Sequence, residues 1–518
     1  MYFRFSDIIN YLNNDPIIDW LEINSHKYNY TKEYSEYFDF FNKQKKQFIK
    51  NKIHEYICNI NSNYSNKLIS LNKHLPINKI FIPNLKIINK LSNQLSCIDI
   101  LISNDFCKKL FNVNINNNKI YIVMFAYFNS KLKKSNVLSN NKRNLLLKYK
   151  LYYNYHLLKT MNIPISNYGI IVFKHLENSK KNYIMYNIIK HKKILHKKIT
   201  DGFKWYNNIN INGKNMTLDM NKYPILLPNM KNKRDYPWRK SKLKIAQKYN
   251  ELTLLWNISY NDRNYIIKKY NIFSWNKLKK YMINKKPLQK TIINGIIDIN
   301  KHSIKKNFAI IQQTDFKLSP LEIFLDYEIL SPIFTETFHI KGEYVFMIGA
   351  LFVINEHNYS KLQFKYYISN NISYNSEKNM FLNFISDIKF YSKSLYYDQI
   401  PIYHWGQIEN FLYRKKMAQY NIYFPLNFID INQIFKKQQI FIKGALDYSL
   451  KSIGKAMYNN NLISIIWKDD INNGFNAMFE YFKLLKSSDY NKSVHTIVEY
   501  NYVDIKILHE ILSWLRQQ

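Results

Sequence analysis

A chain of 518 residues exceeds what a single hydrophobic core ordinarily holds and points to two or three domains. Hydrophobic content of 46% with 16% aromatics excludes wholesale disorder, and the longest apolar runs, such as YVFMIGALFVI (344–354), fall short of the roughly 18 residues a membrane span requires. The net charge of +39 is weak evidence by itself, because abundant Asn, Lys, Ile and Tyr with only 10 Gly is what an A/T-rich genome produces without selection for binding. Its distribution says more. Residues 321–518 hold about 20 Lys and Arg against about 19 Asp and Glu, whereas residues 1–320 hold about 56 against 18. Codon bias acts on both parts alike, so the first part is expected to meet a polyanion and the last part to do something else. Cys58, Cys97 and Cys107 have no CxxC spacing, which supports neither a disulfide framework nor a structural zinc site. With no signal-peptide pattern in MYFRFSDIINYLNNDP, an intracellular location, cytoplasmic or nuclear, is expected, with no membrane partner.

Residues 1 to about 210 mix a helical segment (36–57) with strand-like runs, SCIDILIS (96–103), NKIYIVMFAYFN (118–129) and NYGIIVFKHL (167–176), and predict an α/β domain. The basic run KHKKILHKK (190–198) reads as a solvated hairpin tip, with phosphate contact or a nuclear address as the other reading. Residues 211–315 turn helical, with WRKSKLKIAQKYNELTLLWNIS and NDRNYIIKKYNIFSWNKLKKYMI as two amphipathic segments around a polar break, and predict a helical middle domain. After KLSP (317–320) come three strand candidates, LEIFLDYEIL, EYVFMIGALFVI and KLQFKYYIS, then a helix, EKNMFLNFISDIKFYSKS. A further strand, QIPIYHW, is followed by the helix GQIENFLYRKKMAQY. Three consecutive strands and then alternating strand and helix fit an RNase H-like α/β sheet over 316–518. The chain is therefore read as a multidomain α/β protein.

Asp326 and Glu328, two apart on a strand, project from one face. Hydrolysing a phosphodiester calls for a strong nucleophile and relief of charge on the leaving oxygen, which two divalent ions about 3.5–4 Å apart supply together. Such ions take hard oxygen ligands, so about four carboxylates must meet. A third comes from Glu409, five residues after His404, and the fourth from the last helix, where Tyr500 and Asp504 stand one turn apart on one face.

These elements resemble the DEDD exonuclease group of the RNase H-like superfamily. Its first motif, Asp-x-Glu, is matched by Asp326-Tyr327-Glu328, and its last, Tyr-x-x-x-Asp, by Tyr500 to Asp504. In the second, Glu409 stands where the group usually has Asp. The resemblance implies Mg²⁺ or Mn²⁺, two ions, held by Asp326, Glu328, Glu409 and Asp504, with Tyr500 orienting the attacking water. It also implies a DNA or RNA substrate, as a single strand or an end, degraded 3′ to 5′. More widely, IYHWGQIENFL, FIDINQIFKKQQIFIKGALDYSLKSIGKAMY and EYNYVDIKILHEILSWL are similar to the YprB-type RNase H-like domain joined to a RecB-like nuclease domain in predicted nucleases of bacteria and large DNA viruses. By that resemblance the segment around 230–259 is a nucleic-acid-contacting helical pair and Asp430 is structural. The RecB-like (restriction-endonuclease-like) part is degenerate. Asp99 matches its first acid, but Phe125 and Tyr127 stand where an acid and a Lys belong, and Tyr152 where a Gln belongs. A decayed first domain that holds nucleic acid is expected, its Lys-interleaved aromatics suiting base stacking where they are not core. The rival reading is a scaffold in which both nuclease sites have decayed.

Overall fold

A computed structural model describes residues 2–58, 80–89, 93–113, 119–133, 137–177, 179–301, 305–312, 316–335, 338, 340, 342–355, 359–395, 399–467, 474–485 and 490–518. The chain divides into two compact units, Met1–Lys248 and Tyr249–Gln518.

In the first unit the apolar run Ile120–Ala126, buried at all seven positions, pairs antiparallel with Gln94–Ser103 and parallel with Tyr168–Phe173. Phe3–Arg4 and Phe81–Asn89 also pair with Gln94–Ser103, and Tyr183–Asn187 pairs with Tyr168–Phe173. Alternate residues of the central strand feed two cores, as a strand buried on both faces requires. Ile120, Ile122, Met124 and Ala126 pack with Leu151, Tyr152, Tyr155 and Leu158 of the helix Lys142–Thr160. Tyr121, Val123 and Phe125 pack with Ile53 and Phe48 of the helix Glu36–Cys58. Tyr37, Tyr127, Tyr149, Tyr152, Tyr153 and Tyr155 are all buried, so these aromatics are core rather than stacking platforms.

Residues 190–198 are not a hairpin tip. Lys190 and His191 end the 3₁₀ turn Ile188–His191 and the rest open the helix Lys192–Asn212, because Leu195, Ile199, Gly202, Trp205 and Ile209 form a buried stripe at helical spacing beneath the exposed lysines.

Among the described residues of 211–315 stand the helices Arg239–Lys248, Tyr260–Tyr270 and Pro287–Ile299 and the short strand Phe308–Ile310, and the boundary between the units runs through the segment. Buried polar ties explain the division. The fully buried Lys242 Nζ reaches Asp15 Oδ2 at 2.8 Å and the carbonyl oxygens of Asn232 and Asn229 at 3.0 and 3.1 Å. Trp20 Nε1 donates to the Met216 carbonyl at 2.8 Å and Trp238 Nε1 to Glu22 at 2.6 Å. These bonds fasten residues up to 248 to the N-terminal helices. On the other side, Asn300 bonds the Ala445 carbonyl at 3.1 Å and the Gly444 N–H at 2.7 Å, and Phe308–Ile310 pairs with Ile440–Ile442, which joins 249–315 to the second unit.

The second unit is built on a five-stranded sheet in the order Ser360–Ile368, Tyr344–Asn355, Leu321–Leu330, Pro401–His404, Asn427–Asp430. The first three strands are antiparallel, and the last two run parallel to Leu321–Leu330, which is therefore central. The exposed edge strand carries Lys361 and Lys365, charges that discourage edge-to-edge pairing. One face of the central strand, Leu321, Ile323, Leu325 and Tyr327, meets Met380, Phe381, Phe384, Ile385 and Ile388 of the helix Tyr374–Leu395, spaced as one helical face. The other face carries the acids.

Candidate metal centre

The even-numbered residues of the central strand meet the terminal helix, Tyr490–Leu515, and the residue just beyond it. Arg516 Nη1 donates to Glu322 at 3.0 Å, the rings of Phe324 and His509 stand 5.1 Å apart edge to face, and Asn501 Nδ2 donates to Asp326 Oδ2 at 2.9 Å. The side chains of Asn501, Asp504 and His509 thus line the part of the helix that covers the acid-bearing face. Close approach is possible because Asp326 faces Gly349 across the ladder: a β-carbon there would overlap the Asn501 side chain. The ladder shifts register immediately after Glu328, a bulge at the end of the acidic pair.

This packing brings oxygens of Asp326, Glu328 and Asp504 within 4.8 Å of one another, the only such grouping of potential metal ligands among the described residues. Glu328 and Asp504 are buried and Asp326 half-buried. Burial and then mutual repulsion disfavour the ionised forms. Asp326 is raised well above the usual carboxylate range by burial and by Glu328, Asp504 and Glu409. Burial and Asp504 lift Glu328 to about 8. Burial lifts Asp504 to about 6, against the opposing pull of Lys451, Trp467 and Tyr500. Three hard oxygen donors whose spacing is close to the roughly 4.2 Å span of opposite ligands on one Mg²⁺ fit a Mg²⁺ or Mn²⁺ ion, and its charge would remove the repulsion.

Glu409 lies in the first turn of the helix Ile408–Tyr420, buried and close enough to influence Asp326, but outside the 4.8 Å grouping. Its Oε2 is instead paired with His404 Nδ1 at 3.3 Å, and neither ring nitrogen of His404 nor this oxygen makes a well-formed hydrogen bond. Asp430 caps the helix Ile431–Lys437, and its Oδ1 accepts from the Gly406 N–H at 2.9 Å. Gly406 has φ +99°, so Asp430 clamps the left-handed turn that aims the Glu409 helix.

Tyr500 is buried one turn before Asp504, and burial together with Asp504, Glu328 and Asp326 pushes its hydroxyl far above the ordinary phenol value. It stays protonated and is a donor, not a base. Three neighbours escaped the sequence reading. Trp467 Nε1 donates to Asp504 Oδ1 at 2.6 Å, Lys451 Nζ sits 5.0 Å from the Tyr500 ring centre and acts on all three acids, and Asn501 holds Asp326. Only Asn501 had a local signal, its place beside Tyr500 in the terminal motif. Gly349, alone inside an apolar strand, was the signal for a close approach.

In the first unit Asp99 has both oxygens engaged, Oδ2 by the Phe125 N–H at 2.8 Å and Oδ1 by Lys150 Nζ at 3.8 Å. Phe125 and Tyr127 are buried, and Tyr152 has a buried hydroxyl without a partner.

A family model of the RNase H superfamily, RNase_H_2, matches residues 333–516, a stretch that begins just after the Asp326–Glu328 strand. The match supports an RNase H-like C-terminal domain, and the acidic grouping joins the strand just before the matched stretch to the helix near its end. No curated protein and no solved structure matches the chain. Among the described residues no helix is long and apolar enough to cross a membrane.

Proposed function

We propose that the chain is a metal-dependent nuclease that hydrolyses phosphodiester bonds of DNA or RNA, acting 3′ to 5′ from a single-stranded end. The observation that carries this reading is the convergence of three carboxylates, two buried and one half-buried, from a strand and a distant helix at an RNase H-like domain. Carboxylates that repel one another in the protein alone are best explained by a cation between them.

Asp326, Glu328 and Asp504 would hold one Mg²⁺ or Mn²⁺, and Glu409, beside Asp326, would complete a second position by turning from His404. Two such ions supply a hydroxide-like nucleophile and stabilise the leaving oxygen. Trp467 and Asn501 fix Asp504 and Asp326, so the ligands are oriented before substrate arrives. The protonated Tyr500 hydroxyl donates to the attacking water or to a non-bridging phosphate oxygen and so orients in-line attack. The first unit, with most of the positive charge, is read as a degenerate RecB-like domain that holds nucleic acid. Asp99 accepts from the Phe125 N–H and lies 3.8 Å from Lys150, and among the described residues it has no second and third ligand beside it to share a metal.

The pairing of Glu409 with His404 favours one alternative, a protein that binds nucleic acid and metal but has lost turnover. Degradation of an end-labelled single strand in Mg²⁺ or Mn²⁺, by wild type and by Asp326→Ala, separates the two. Loss of cleavage on mutation supports the enzyme, and salt-sensitive binding without cleavage by wild type supports the scaffold.

A further inference from the structure

The edge strand of the second unit, Ser360–Ile368, wears its polar and apolar sides in reverse. Its odd-numbered residues face the helix Tyr374–Leu395: Lys365 Nζ and the Tyr367 hydroxyl donate to Asp387 at 2.8 and 2.5 Å, and the Tyr391 hydroxyl donates to Gln363. The even-numbered residues stand on the opposite face and are apolar or aromatic. Leu362 is 42% exposed and Tyr366 46%, with Phe364 half-buried between them. An amphipathic strand ordinarily buries its apolar side and wets its polar one. Here the apolar side is the one in water, a departure of the kind that marks an interaction site.

The ladder fixes where that surface lies. Asp326 pairs with Gly349 and Gly349 with Tyr366, so Tyr366 stands on the row and the face of the first acid, two strands away, or about 9–10 Å along the hydrogen-bonding direction. Phe364 shares the next row with Leu351 and Phe324. On the first row Gly349 raises no side chain between acid and tyrosine, and Asn501 lies over it with its Nδ2 donating to Asp326 at 2.9 Å. The next residue of that helix, Tyr502, sets its ring edge to face on Phe364 with centroids 5.0 Å apart, and Phe364 stands 6.5 Å from Tyr366. One turn of the helix Tyr490–Leu515 therefore braces both a carboxylate of the acid centre and the aromatic surface beside it.

The surface itself identifies its occupant. It continues from the acid centre, so a strand with a phosphate at Asp326 and Asp504 carries its neighbouring nucleotides toward Tyr366. It presents aromatic rings, which stack on any base. Leu362, Phe364, Tyr366 and Tyr502, each only partly exposed, fall well short of the about 800 Å² per partner that a stable protein interface buries. We infer that Tyr366, backed by Phe364 and Tyr502, is a stacking platform for the unpaired bases of a single-stranded nucleic acid next to the phosphate at the acid centre. The inference rests on the reading that this centre acts on nucleic acid, and it supplies a reason for a single-stranded substrate. A base inside a duplex has both faces covered by its neighbours and has none to offer Tyr366.

The test uses an oligothymidylate carrying one 2-aminopurine near its 3′ end, with phosphorothioate linkages that slow cleavage, mixed with the full chain in Mn²⁺. Stacking on an aromatic ring quenches 2-aminopurine fluorescence. Wild type is compared with Tyr366→Ala, Tyr366→Phe and Tyr423→Ala, the last removing a ring that is 93% exposed elsewhere in the same unit. Loss of a stacking partner lowers the ratio of stacked to unstacked base at least about fivefold. Tyr366→Ala is therefore expected to lose most of the quench, whereas Tyr366→Phe, which keeps the ring, and Tyr423→Ala retain it. A quench that survives Tyr366→Ala, or that Tyr423→Ala removes equally, overturns the proposal. So does an unquenched probe with a wild type that is dimeric and a Tyr366→Ala variant that is monomeric, which would make the surface a contact between copies. A Tyr366-dependent quench in a protein that never cleaves leaves the platform standing and removes the nuclease reading, and cleavage with a quench indifferent to Tyr366 removes the platform alone.

Discussion

Asp326→Asn should stabilise the metal-free protein while removing its activity. Two unit charges within 4.8 Å of one another repel by at least about 3.5 kcal/mol at an effective dielectric near 20. Asp326 faces two such neighbours. Protonation already relieves part of this at neutral pH, since burial and repulsion lift Glu328 to about 8 and Asp504 to about 6. At pH 8.5, with EDTA present, the remaining gain is about 1–3 kcal/mol, or roughly 2–4 °C in Tm per kcal/mol for a unit of this size. Asparagine still accepts the Asn501 hydrogen bond, so that contact is kept. The sign reverses with metal. Wild type gains about 2.7 kcal/mol from an ion at a hundred times its Kd, and the variant loses most of that gain. Calorimetric melts of both proteins, in EDTA and in excess Mn²⁺, read both effects. If the variant in EDTA melts no higher than wild type, or if Mn²⁺ stabilises both equally, the acids do not repel one another as described and the cation site is misassigned.

The same charges set a pH dependence. Carboxylates with raised folded pKa values bind more protons folded than unfolded, so stability falls as pH rises. Metal-free wild type should lose stability from about pH 4 to about pH 8, the interval between the unfolded values and that of Glu328, and Mn²⁺ should flatten the curve; urea melts at stepped pH measure this. Gly349→Ala forces a methyl group into Asn501 and should cost about 1–3 kcal/mol, with loss of cleavage disproportionate to the loss of fold, as judged by circular dichroism and activity together. Tyr500→Phe should lower turnover at least about tenfold while leaving Mn²⁺ affinity, read by titration calorimetry, within twofold of wild type. Lys242→Met strands the buried Asp15 and should destabilise the first unit by about 3–5 kcal/mol, seen as earlier proteolysis of residues 1–248, with the Mn²⁺ site of the second unit unaffected.

Much of the second unit was legible because its signals are local. Apolar runs longer than five residues, broken by turns, announce strands, and Asp326 and Glu328 share a face by the period of a strand alone. Tyr500 and Asp504 share a face by the period of a helix. What decides the rest is contact between distant segments. That Trp467 bonds Asp504, that Lys451 lies over Tyr500 and that Glu409 turns toward His404 depend on packing that no spacing encodes. The middle segment illustrates the same limit. Its helical periodicity was readable, but its division between the units follows from Lys242 reaching Asp15 across more than two hundred residues. At 190–198 the lysines drew attention to a solvated tip, while the sparser stripe of Leu195, Ile199 and Trp205 set the structure.

The central claim is that the strand acids and the helix acid act on one shared cation. Mn²⁺-dependent degradation of an end-labelled single strand by wild type and by Asp504→Asn tests it most directly, with Mn²⁺ binding followed by electron paramagnetic resonance in the same samples. The account predicts shortening products and tightly bound Mn²⁺ for wild type and loss of both in the variant. Wild type that binds no Mn²⁺, or a variant that binds and cleaves like wild type, would contradict it.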